Sequence, residues 1–332
     1  MSFHIGIDVS KDSFDLCVLD ARQTTLQLKL PNSSSGFDRL VRALEQLDED
    51  VDLDALEVCL EPTSTYHLAL CFHLHDHGVD IRQVTVGAAY SEYINGLGRQ
   101  HKTDRLDAWK LAMLHLERRD LLTNHWHPRS KVIIKMRALT RRREQLKKSV
   151  DAERNRIEAY SQPGANCPEL VESCKRVKAL LEDELEKVEK ALEQMVAQDE
   201  ELSRQCARVR TIPQIGKVVA MVLVAELGAV GGFDKTKKAV AWAGLDAVAH
   251  ESGTSVNSRR VLSKKGNPRV RKALYQAALG TLREKSPWYG YAMNKNQSGK
   301  PLIVAMMDKL LRVAVGVLKH DRDFDMNVCV SA

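Results

Sequence analysis

The 332-residue sequence predicts an α/β domain at the N-terminus, a long helical connector and a mostly α-helical C-terminal domain. Three observations lead to this prediction. Apolar and polar residues alternate through the first 30 residues, a helical spacing of apolar residues runs from about residue 130 to residue 206, and the last third contains several apolar helical segments around one polar loop. With 44% hydrophobic residues, the chain can form the cores of at least two domains.

The N-terminal elements follow an order that is typical of one fold. Residues 3–30 contain three alternating segments separated by the turn-like "SKDS" and "DARQTT", which predicts a three-stranded meander. "NSSSGFDRLVRALEQL" predicts a capped amphipathic helix, and "LEVCLEPTSTY" predicts a strand that ends in a turn. A helical "HLALCFHLHDHG", a short strand in "DIRQVTV" and a helix that carries Asp104 complete the series. The order β-β-β-α-β-α-β-α indicates a ribonuclease H-like domain, in which acidic residues at strand ends and on a late helix converge.

Two helices are predicted for the connector, from about Ser130 to Ala159 and from Pro168 to Cys206. The segment "SQPGANCP" separates them because its two prolines and its glycine disfavour a continuous helix. In the second helix, apolar residues recur at alternating steps near three and four, with Asp199 as the one polar interruption. Such a seam predicts an antiparallel helical hairpin or an intermolecular coiled coil, used for dimerisation or as a spacer. A helix packed only on its own domain is the alternative.

The last third begins with "TIPQIGKVVAMVLVAELG", a turn containing Pro213 and Gly216 followed by an apolar helix. This pattern resembles the second half of a helix-hairpin-helix element, where backbone N–H groups meet a phosphate, although Gln214 stands where such a hairpin usually has its first glycine. A short helix, a Gly/Ser-rich loop in "HESGTSV", a basic helix and a closing apolar helix follow. This part of the chain is therefore predicted to be α-helical and separate from the first domain.

Positive charge is concentrated in two stretches, although the net charge of the chain is only +6. Between Arg129 and Arg156 there are eleven Lys and Arg residues against three acids, and from Ser252 to Lys272 there are seven and no acid. This distribution predicts two cationic surfaces for a polyanion, and a solvated helix face is the alternative for the first. The candidate phosphate-binding residues are Arg141, Arg142, Arg143, Lys147, Lys148, Arg259, Arg260, Lys264 and Lys265.

The seven cysteines show no CxxC pairing, so the sequence supports neither a disulfide framework nor a zinc knuckle. No stretch approaches 18 consecutive apolar residues, and the N-terminus begins directly with a strand-like segment. We therefore expect a protein that does not enter the membrane and stays in the cytoplasm.

Four acidic residues stand where the predicted elements end or begin. Asp8 ends an apolar strand, Glu61 ends another just before Pro62, and Asp104 and Asp107 share one face of a helix. Because two-metal phosphoryl transfer needs three or four carboxylates around a pair of hard cations, these acids predict a site for divalent metal ions. The alternatives are a turn residue for Asp8, a rim charge for Glu61 and a complement to the helix dipole for the aspartate pair.

The motifs that carry these acids resemble a known family. "IGIDVSKDSFD", "CLEPTSTY" and "KTDRLDAWKLA" closely resemble the three acidic motifs of the DEDD transposases of the insertion-sequence-110 family, relatives of the Piv and MooV DNA invertases. "AWAGLDAVAHESGTSV" resembles the C-terminal serine motif of the same family. The resemblance covers nearly the whole chain and implies a RuvC-like domain in residues 1–128, a coiled-coil connector in 129–206 and a C-terminal transposase domain in 207–332.

The resemblance also implies a chemistry and a set of partners. Asp8, Glu61, Asp104 and Asp107 would form the Mg²⁺ site, and Ser252 would be the nucleophile of a DNA recombinase. The implied partners are target and donor DNA, an element-encoded structured noncoding RNA (bridge RNA) that selects the sequences, and further copies of the chain, in dimers that pair into a tetramer. The expected location is the bacterial nucleoid. Lys102 and Arg105 are predicted phosphate contacts beside the acids.

A serine hydroxyl is a poor nucleophile at neutral pH, so it needs a base or a metal ion to remove its proton. His250 and Glu251 are candidate proton acceptors, and Ser255 or Ser258 could replace Ser252 on local sequence alone. A phosphoserine link conserves the energy of the broken DNA bond, so strands could be exchanged without ATP. This agrees with the absence of a Walker-type loop from the sequence.

Three functions are compatible with the residues themselves. The first is an RNA-guided recombinase that uses Mg²⁺ and Ser252, with a site-specific DNA invertase as a close variant. The second is a RuvC-like endonuclease that hydrolyses DNA with metal-bound water. The third is a nucleic-acid-binding protein without catalysis.

Overall fold

A computed structural model of the chain describes residues 3–49, 51–62, 65–84, 88–98, 103–122, 124–128, 130–228, 233, 235–248, 251–252, 256–257 and 261–327. The chain divides into two compact units, Met1–Pro128 and Arg129–Ala332. No helix in these ranges is long and apolar enough to cross a membrane.

A six-stranded sheet organises the first unit. Its strands are β1 (Phe3–Val9), β2 (Ser13–Asp20), β3 (Gln23–Pro31), β4 (Glu57–Leu60), β5 (Asp80–Gln83) and β6 (Asn124–His125). Their order across the sheet is β3-β2-β1-β4-β5-β6, with β1, β4 and β5 parallel to one another and the other neighbouring pairs antiparallel. The predicted meander and the strand–helix order up to β5 are confirmed. The short edge strand β6 was not predicted.

Four helices cover the two faces of this sheet. They are α1 (Ser34–Glu45), α2 (Leu68–Asp76), α3 (Ala88–Gly96) and α4 (Asp104–Glu117). Ile5, Ile7 and Val9 of β1 pack with residues of α1 and α2 in one core. Because side chains alternate along a strand, Gly6 and Asp8 point to the opposite face, where α4 packs. The sequence missed α3, which precedes α4.

Gly6 sets the distance between β1 and α4. A Cβ atom at this position would overlap the carbonyl oxygen of Ala108 and the amide nitrogen of Ala112, so the helix backbone lies directly on the strand backbone. A glycine in a strand interior weakens the strand but permits such an approach. The first turn of α4 is thereby brought close to the end of β1.

The second unit begins with a helical hairpin formed by α5 (Lys131–Tyr160) and α6 (Pro168–Gln198). The predicted single helix from Pro168 to Cys206 is wrong, because Asp199 leaves the helical conformation and its carboxylate caps a new helix, α7 (Glu200–Arg210), by accepting the Leu202 N–H at 2.9 Å. Near the hairpin turn, Leu170 and Val177 of the apolar seam are 45% and 42% exposed.

The other elements of the second unit form one mostly helical body. They are α8 (Lys217–Gly228), α9 (Thr236–Ala243), β7 (Ala247–Val248), β8 (Glu251–Ser252), β9 (Val256–Asn257), β10 (Val261–Leu262), α10 (Pro268–Thr281), α11 (Tyr289–Met293) and α12 (Gly299–His320). Ile133 and Met136 of α5 and Leu192 of α6 are buried in the same core as the C-terminal helices. The base of the hairpin is thus part of this body.

The turn that the sequence predicts before α8 is present and has a strained backbone at Gln214. Gln214 has a φ angle of 75°, in the region that favours glycine. The fully buried Trp288 donates its Nε1–H to the carbonyl of Pro213 at 3.0 Å, and the Gln214 side chain lies against Gly280 of α10. Contacts from two other segments therefore hold this turn in place.

We predict that Gly6→Ala lowers the free energy of unfolding of the first unit by about 2–3 kcal/mol, because the methyl group must push α4 away from β1. Urea denaturation followed by circular dichroism measures this change. Gly96→Ala is the matched control, since a Cβ atom there meets nothing within 4 Å. Equal stability of the two variants would contradict the close packing of α4 on β1.

Candidate active site

The candidate acids meet at one end of the sheet. Asp8 of β1 lies opposite Asp15 of β2. On the other side of β1, Ile7 pairs with Leu60 of β4, so Glu61, the residue after Leu60, is at the same height in the sheet as Asp8. On α4, Asp104 and Asp107 lie in the first turn, and the Thr103 side chain caps this helix by accepting the Leu106 N–H at 3.3 Å. Three separate parts of the sequence thus converge.

The electrostatics of Asp8 reflect this convergence. Burial, followed by the negative charges of Asp107, Asp104, Glu61 and Asp15 in that order, raises the pKa of Asp8 from 3.8 to about 6. The structure therefore brings together the four acids that the sequence singled out. Asp15 is a fifth acid that the sequence analysis did not select.

Three of the four candidate ligands have partners within the protein. The Tyr90 hydroxyl donates to Glu61 Oε2 at 2.8 Å, and burial followed by this hydrogen bond raises the pKa of Tyr90. The Lys110 ammonium lies 3.4 Å from Asp107 Oδ1, and the Lys29 ammonium lies 3.3 Å from Asp104 Oδ2. Lys29 also lies 3.4 Å from Asp15 Oδ2.

The donor chemistry of the site fits a hard divalent cation, since carboxylate oxygens are the ligands that Mg²⁺ prefers. In the structure, three of these acids contact a tyrosine or a lysine instead. Within the described ranges, no three His, Cys, Asp or Glu side chains are arranged to hold a metal ion. Binding of a cation would require the acids to exchange their present partners for the ion.

Asp15, Lys29, Tyr90 and Lys110 are the functional candidates that sequence reasoning missed. A signal was present for Asp15, because it interrupts the apolar strand segment "FDLCVL" as Asp8 interrupts its own strand. Asp15 is buried, and burial raises its pKa. Lys110 and its partner Asp107 are three residues apart on α4, a spacing that the sequence shows. The contact of Lys29 with Asp104 and that of Tyr90 with Glu61 depend on the packing of α4 and α3 on the sheet, which local sequence does not specify.

A second polar network binds the far end of α4 to the sheet. His115 Nδ1 accepts the backbone N–H of Ile5 at 3.2 Å, so the proton of the neutral imidazole is on Nε2, which donates to Glu57 Oε1 at 2.8 Å. Glu57 also accepts from Arg82 at 2.7 Å and from Arg119 at 2.9 Å. Burial lowers the pKa of His115, which favours this neutral form.

Ser252 belongs to a β-hairpin in the second unit. β7 pairs with β10 near the base, and β8 pairs with β9 further out, where Ser252 lies opposite Val256. The base is closed by hydrogen bonds from the Asn267 N–H to the Trp242 carbonyl at 3.0 Å and from Arg271 to the Ala243 carbonyl at 2.7 Å. The candidate nucleophile is thus located near the tip of a hairpin. Glu251 is the preceding residue of β8, while His250 lies outside the described residues.

A buried carboxylate lies beneath this hairpin. Glu226 of α8 is fully buried and accepts from Arg137 at 3.0 Å, from Arg141 at 3.0 Å and from the Asn267 amide at 2.9 Å. Asn267 is also the N-cap of α10, where it accepts the N–H groups of Arg269 and Val270. Hydrogen bonds from Arg141 together with the charge of Arg137 lower the pKa of Glu226 against the effect of burial.

The predicted basic residues of α5 fall into two groups. Arg141 is bound to Glu226, and Arg143 forms an ion pair with Glu189 at 2.7 Å. Three side chains, those of Arg142, Lys147 and Lys148, are exposed. The exposed residues are therefore better placed for phosphate contacts than the two arginines that bind carboxylates.

Three of the other predicted basic residues lie within the described ranges. Lys264 and Lys265 are exposed in the segment that follows β10, and Arg105 is exposed at the start of α4. Lys102, Arg259 and Arg260 lie outside the described residues.

Comparisons with known proteins find similarity to transposases and to proteins that invert a gene. Residues 5–160 match a transposase family model, the DEDD transposases of IS110, and residues 206–300 match the model described as the transposase IS116/IS110/IS902 family. The chain is 28% identical to the pilin gene-inverting protein of Moraxella bovis over 338 residues, and 27% identical to that of Moraxella lacunata. Each alignment covers 98% of this chain and 98% of the relative.

We predict that Asp8→Asn stabilises the protein in the absence of divalent cations by on the order of 1 kcal/mol at pH 7.5, a value that allows for solvent screening at this half-buried site. The ionised carboxylate is unfavourable in the folded state because its pKa is about 6 instead of 3.8. As the pH falls through 6, the native Asp8 takes up a proton, so the advantage of the variant should shrink towards pH 4.

Thermal unfolding in EDTA across this pH range measures the effect, with the exposed Asp12→Asn as control. A destabilised Asp8→Asn protein at pH 7.5 would contradict the mutual repulsion of the acids.

We predict that Glu226→Ala lowers the free energy of unfolding by about 3 kcal/mol, since two half-buried arginines and the Asn267 amide lose their shared acceptor. Because the pKa of Glu226 is lowered, its stabilising effect is complete above its ordinary value of 4.5 and is lost as the pH falls below it.

Chemical denaturation at pH 7.5 and at acidic pH tests both statements. In the control Glu193→Ala, the lost ion pair with Lys217 is about half exposed and should cost under about 1 kcal/mol. If Glu226→Ala lowers the free energy of unfolding by no more than the control does, the buried network does not stabilise the fold.

Proposed function

The chain belongs to the IS116/IS110/IS902 family of transposases, and from this premise we propose that it recombines DNA through a covalent phosphoserine intermediate. The observation that supports this proposal most directly is the convergence of Asp8, Glu61, Asp104 and Asp107 at one end of the sheet. A non-catalytic binding protein has no need for such a cluster, because clustered acids repel both one another and a nucleic-acid backbone.

In this proposal the first unit is a RuvC-like domain. The strand order β3-β2-β1-β4-β5 and the acids on β1, after β4 and on α4 agree with that assignment. The four acids would hold Mg²⁺, which, when bound, stabilises negative charge on a phosphate that undergoes substitution. Tyr90 would orient Glu61 by the hydrogen bond that it donates.

Ser252 is the proposed nucleophile. Its Oγ attacks the phosphorus of a DNA phosphodiester and loses its proton to a base, a serine–phosphate ester forms, and the displaced DNA oxygen leaves as a hydroxyl group after taking up a proton. The reverse reaction with a hydroxyl group of another strand completes the exchange. The location of Ser252 near a hairpin tip suits the approach to a phosphate that is embedded in a duplex.

The proposal includes nucleic-acid partners and further copies of the chain. The exposed Arg142, Lys147 and Lys148 on α5, and Lys264 and Lys265 after β10, are candidate phosphate contacts for DNA or for an element-encoded guide RNA. The exposed apolar residues near the tip of the α5–α6 hairpin support a coiled-coil contact between protomers, in dimers that pair into a tetramer.

Site-specific inversion is a second candidate outcome of the same chemistry. The two Moraxella relatives, whose names describe inversion of a pilin gene, align with 98% of this chain. Because the strand-exchange steps are the same, insertion and inversion would differ in the arrangement of the DNA sites and not in the residues that act.

We predict that Ser252→Ala abolishes a covalent protein–DNA adduct and lowers strand cleavage by at least about a thousandfold, because the nucleophile is lost. The assay uses the purified full chain with Mg²⁺, transcripts of its insertion sequence and a nicked DNA that spans the element junction. Adducts resistant to SDS are digested and mapped by mass spectrometry to the modified serine.

Ser255→Ala and Ser258→Ala are the matched controls and should retain the adduct. Cleavage that persists in Ser252→Ala but is lost in Asp107→Asn would identify a metal-dependent endonuclease instead of a serine recombinase. Omission of the transcripts separately tests guidance by RNA.

A further inference from the structure

Two lysine side chains neutralise the acid cluster in the structure. The Lys29 ammonium lies between Asp15 and Asp104, at 3.4 Å and 3.3 Å from their Oδ2 atoms, and the Lys110 ammonium lies 3.4 Å from Asp107 Oδ1. Each aspartate of the first turn of α4 thus has an ammonium group beside it. Lys29 lies outside the motifs that resemble those of the family, whereas Lys110 lies within "KTDRLDAWKLA".

The partners of the two lysines differ in exposure. The Asp15 and Lys110 side chains are only 5% and 12% exposed. Lys29 and Asp104 are 58% and 54% exposed, which is closer to surface pairs on α6 such as Lys190–Glu186 at 67% and 65%. Asp15 and Lys29 are directly opposite in the β2–β3 ladder, so the strand register fixes their separation. Ion pairs that are partly buried and held by the backbone are screened less than mobile surface pairs.

We propose that Lys29 and Lys110 are internal counter-ions that stabilise the acid cluster while no metal ion is bound and that a divalent cation must displace from Asp104 and Asp107. The proposal rests on the metal site of the proposed function. It accounts for two observations together: the acids converge, and each of the two aspartates in the first turn of α4 contacts an ammonium group.

Competition follows from charge and position. A divalent cation and an ammonium group that contact the same carboxylate repel each other, so binding of the ion weakens the Lys29–Asp104 and Lys110–Asp107 contacts. A cavity of about 460 Å³, lined by Gln27, Lys29 and Thr103 among others, lies next to the Lys29–Asp104 pair. It provides space into which the Lys29 ammonium can move.

The test compares Lys29→Gln and Lys110→Gln with the wild-type full chain by thermal unfolding at low salt, first in EDTA and then with increasing Mg²⁺. We expect each variant to unfold about 2–4 °C lower than the wild type in EDTA, because the acids lose a counter-ion. We also expect the Mg²⁺ concentration at half-maximal stabilisation to fall about fivefold, because the competing charge is gone.

Two controls accompany these variants. Lys29→Arg keeps the charge and should behave like the wild type. Lys190→Gln removes the same charge from an exposed pair in the second unit and should change neither the stability in EDTA nor the Mg²⁺ midpoint.

Asp107→Asn separates failure of this proposal from failure of the proposed function. If Asp107→Asn abolishes the stabilisation by Mg²⁺ while both lysine variants keep the wild-type midpoint, the metal site stands and the counter-ion proposal is overturned. If Asp107→Asn responds to Mg²⁺ like the wild type, the metal site itself is wrong and the counter-ion proposal falls with it.

Discussion

Repulsion between carboxylates at one end of the sheet is the constraint that the first unit must satisfy. Asp8 has a pKa of about 6 because it is half-buried and faces the charges of Asp107 and Asp104. The acids alone would drive α4 away from the sheet. Within the cluster, the Lys29 ammonium lies between Asp15 of the sheet and Asp104 of the helix. Contacts elsewhere also retain the helix: its backbone packs on Gly6, and His115 near its other end binds both the Ile5 N–H and Glu57. The site thus depends partly on packing at some distance from it.

In the second unit the electrostatic constraint is a single buried carboxylate that needs positive partners, and not several carboxylates that repel one another. There a single carboxylate, Glu226, is buried in an apolar helix and is neutralised by two arginines of α5 and the amide of Asn267. Removal of a charge from water is costly unless its partners are buried with it. This network joins α5, α8 and the N-cap of α10. The α5–α6 hairpin and the segment that follows β10 are therefore both anchored at the Glu226 carboxylate.

The sequence predicted the order of strands and helices in the first unit up to β5 and the convergence of four acids, because both depend on local patterns. The alternation of apolar and polar residues identified the strands. An ionised acid at the end of an apolar strand is unfavourable unless it has a partner or a function, so the acids also stood out in the sequence. Partners across the structure could not be predicted in this way. Helical spacing did not reveal that Arg141 faces Glu226, and composition did not reveal that Asp15 lies opposite Lys29.

One error of the sequence analysis came from periodicity itself. The apolar spacing continues through Asp199, yet the chain leaves the helix there because an aspartate side chain can cap the next helix. At Asp199 a local preference overrides the longer pattern, whereas at Gln214 distant contacts override a local preference. A residue that is unfavourable for a positive φ angle is held by contacts from α10 and Trp288 that lie 66 and 74 positions further along the chain.

The base of the segment that carries Ser252 has a mechanical consequence. β7 follows α9, β10 precedes α10, and these two strands pair with each other. The hydrogen bonds from Asn267 to Trp242 and from Arg271 to Ala243 join the same two helices. A force that acts on β7 or on β10 would therefore be shared between two helices of one core.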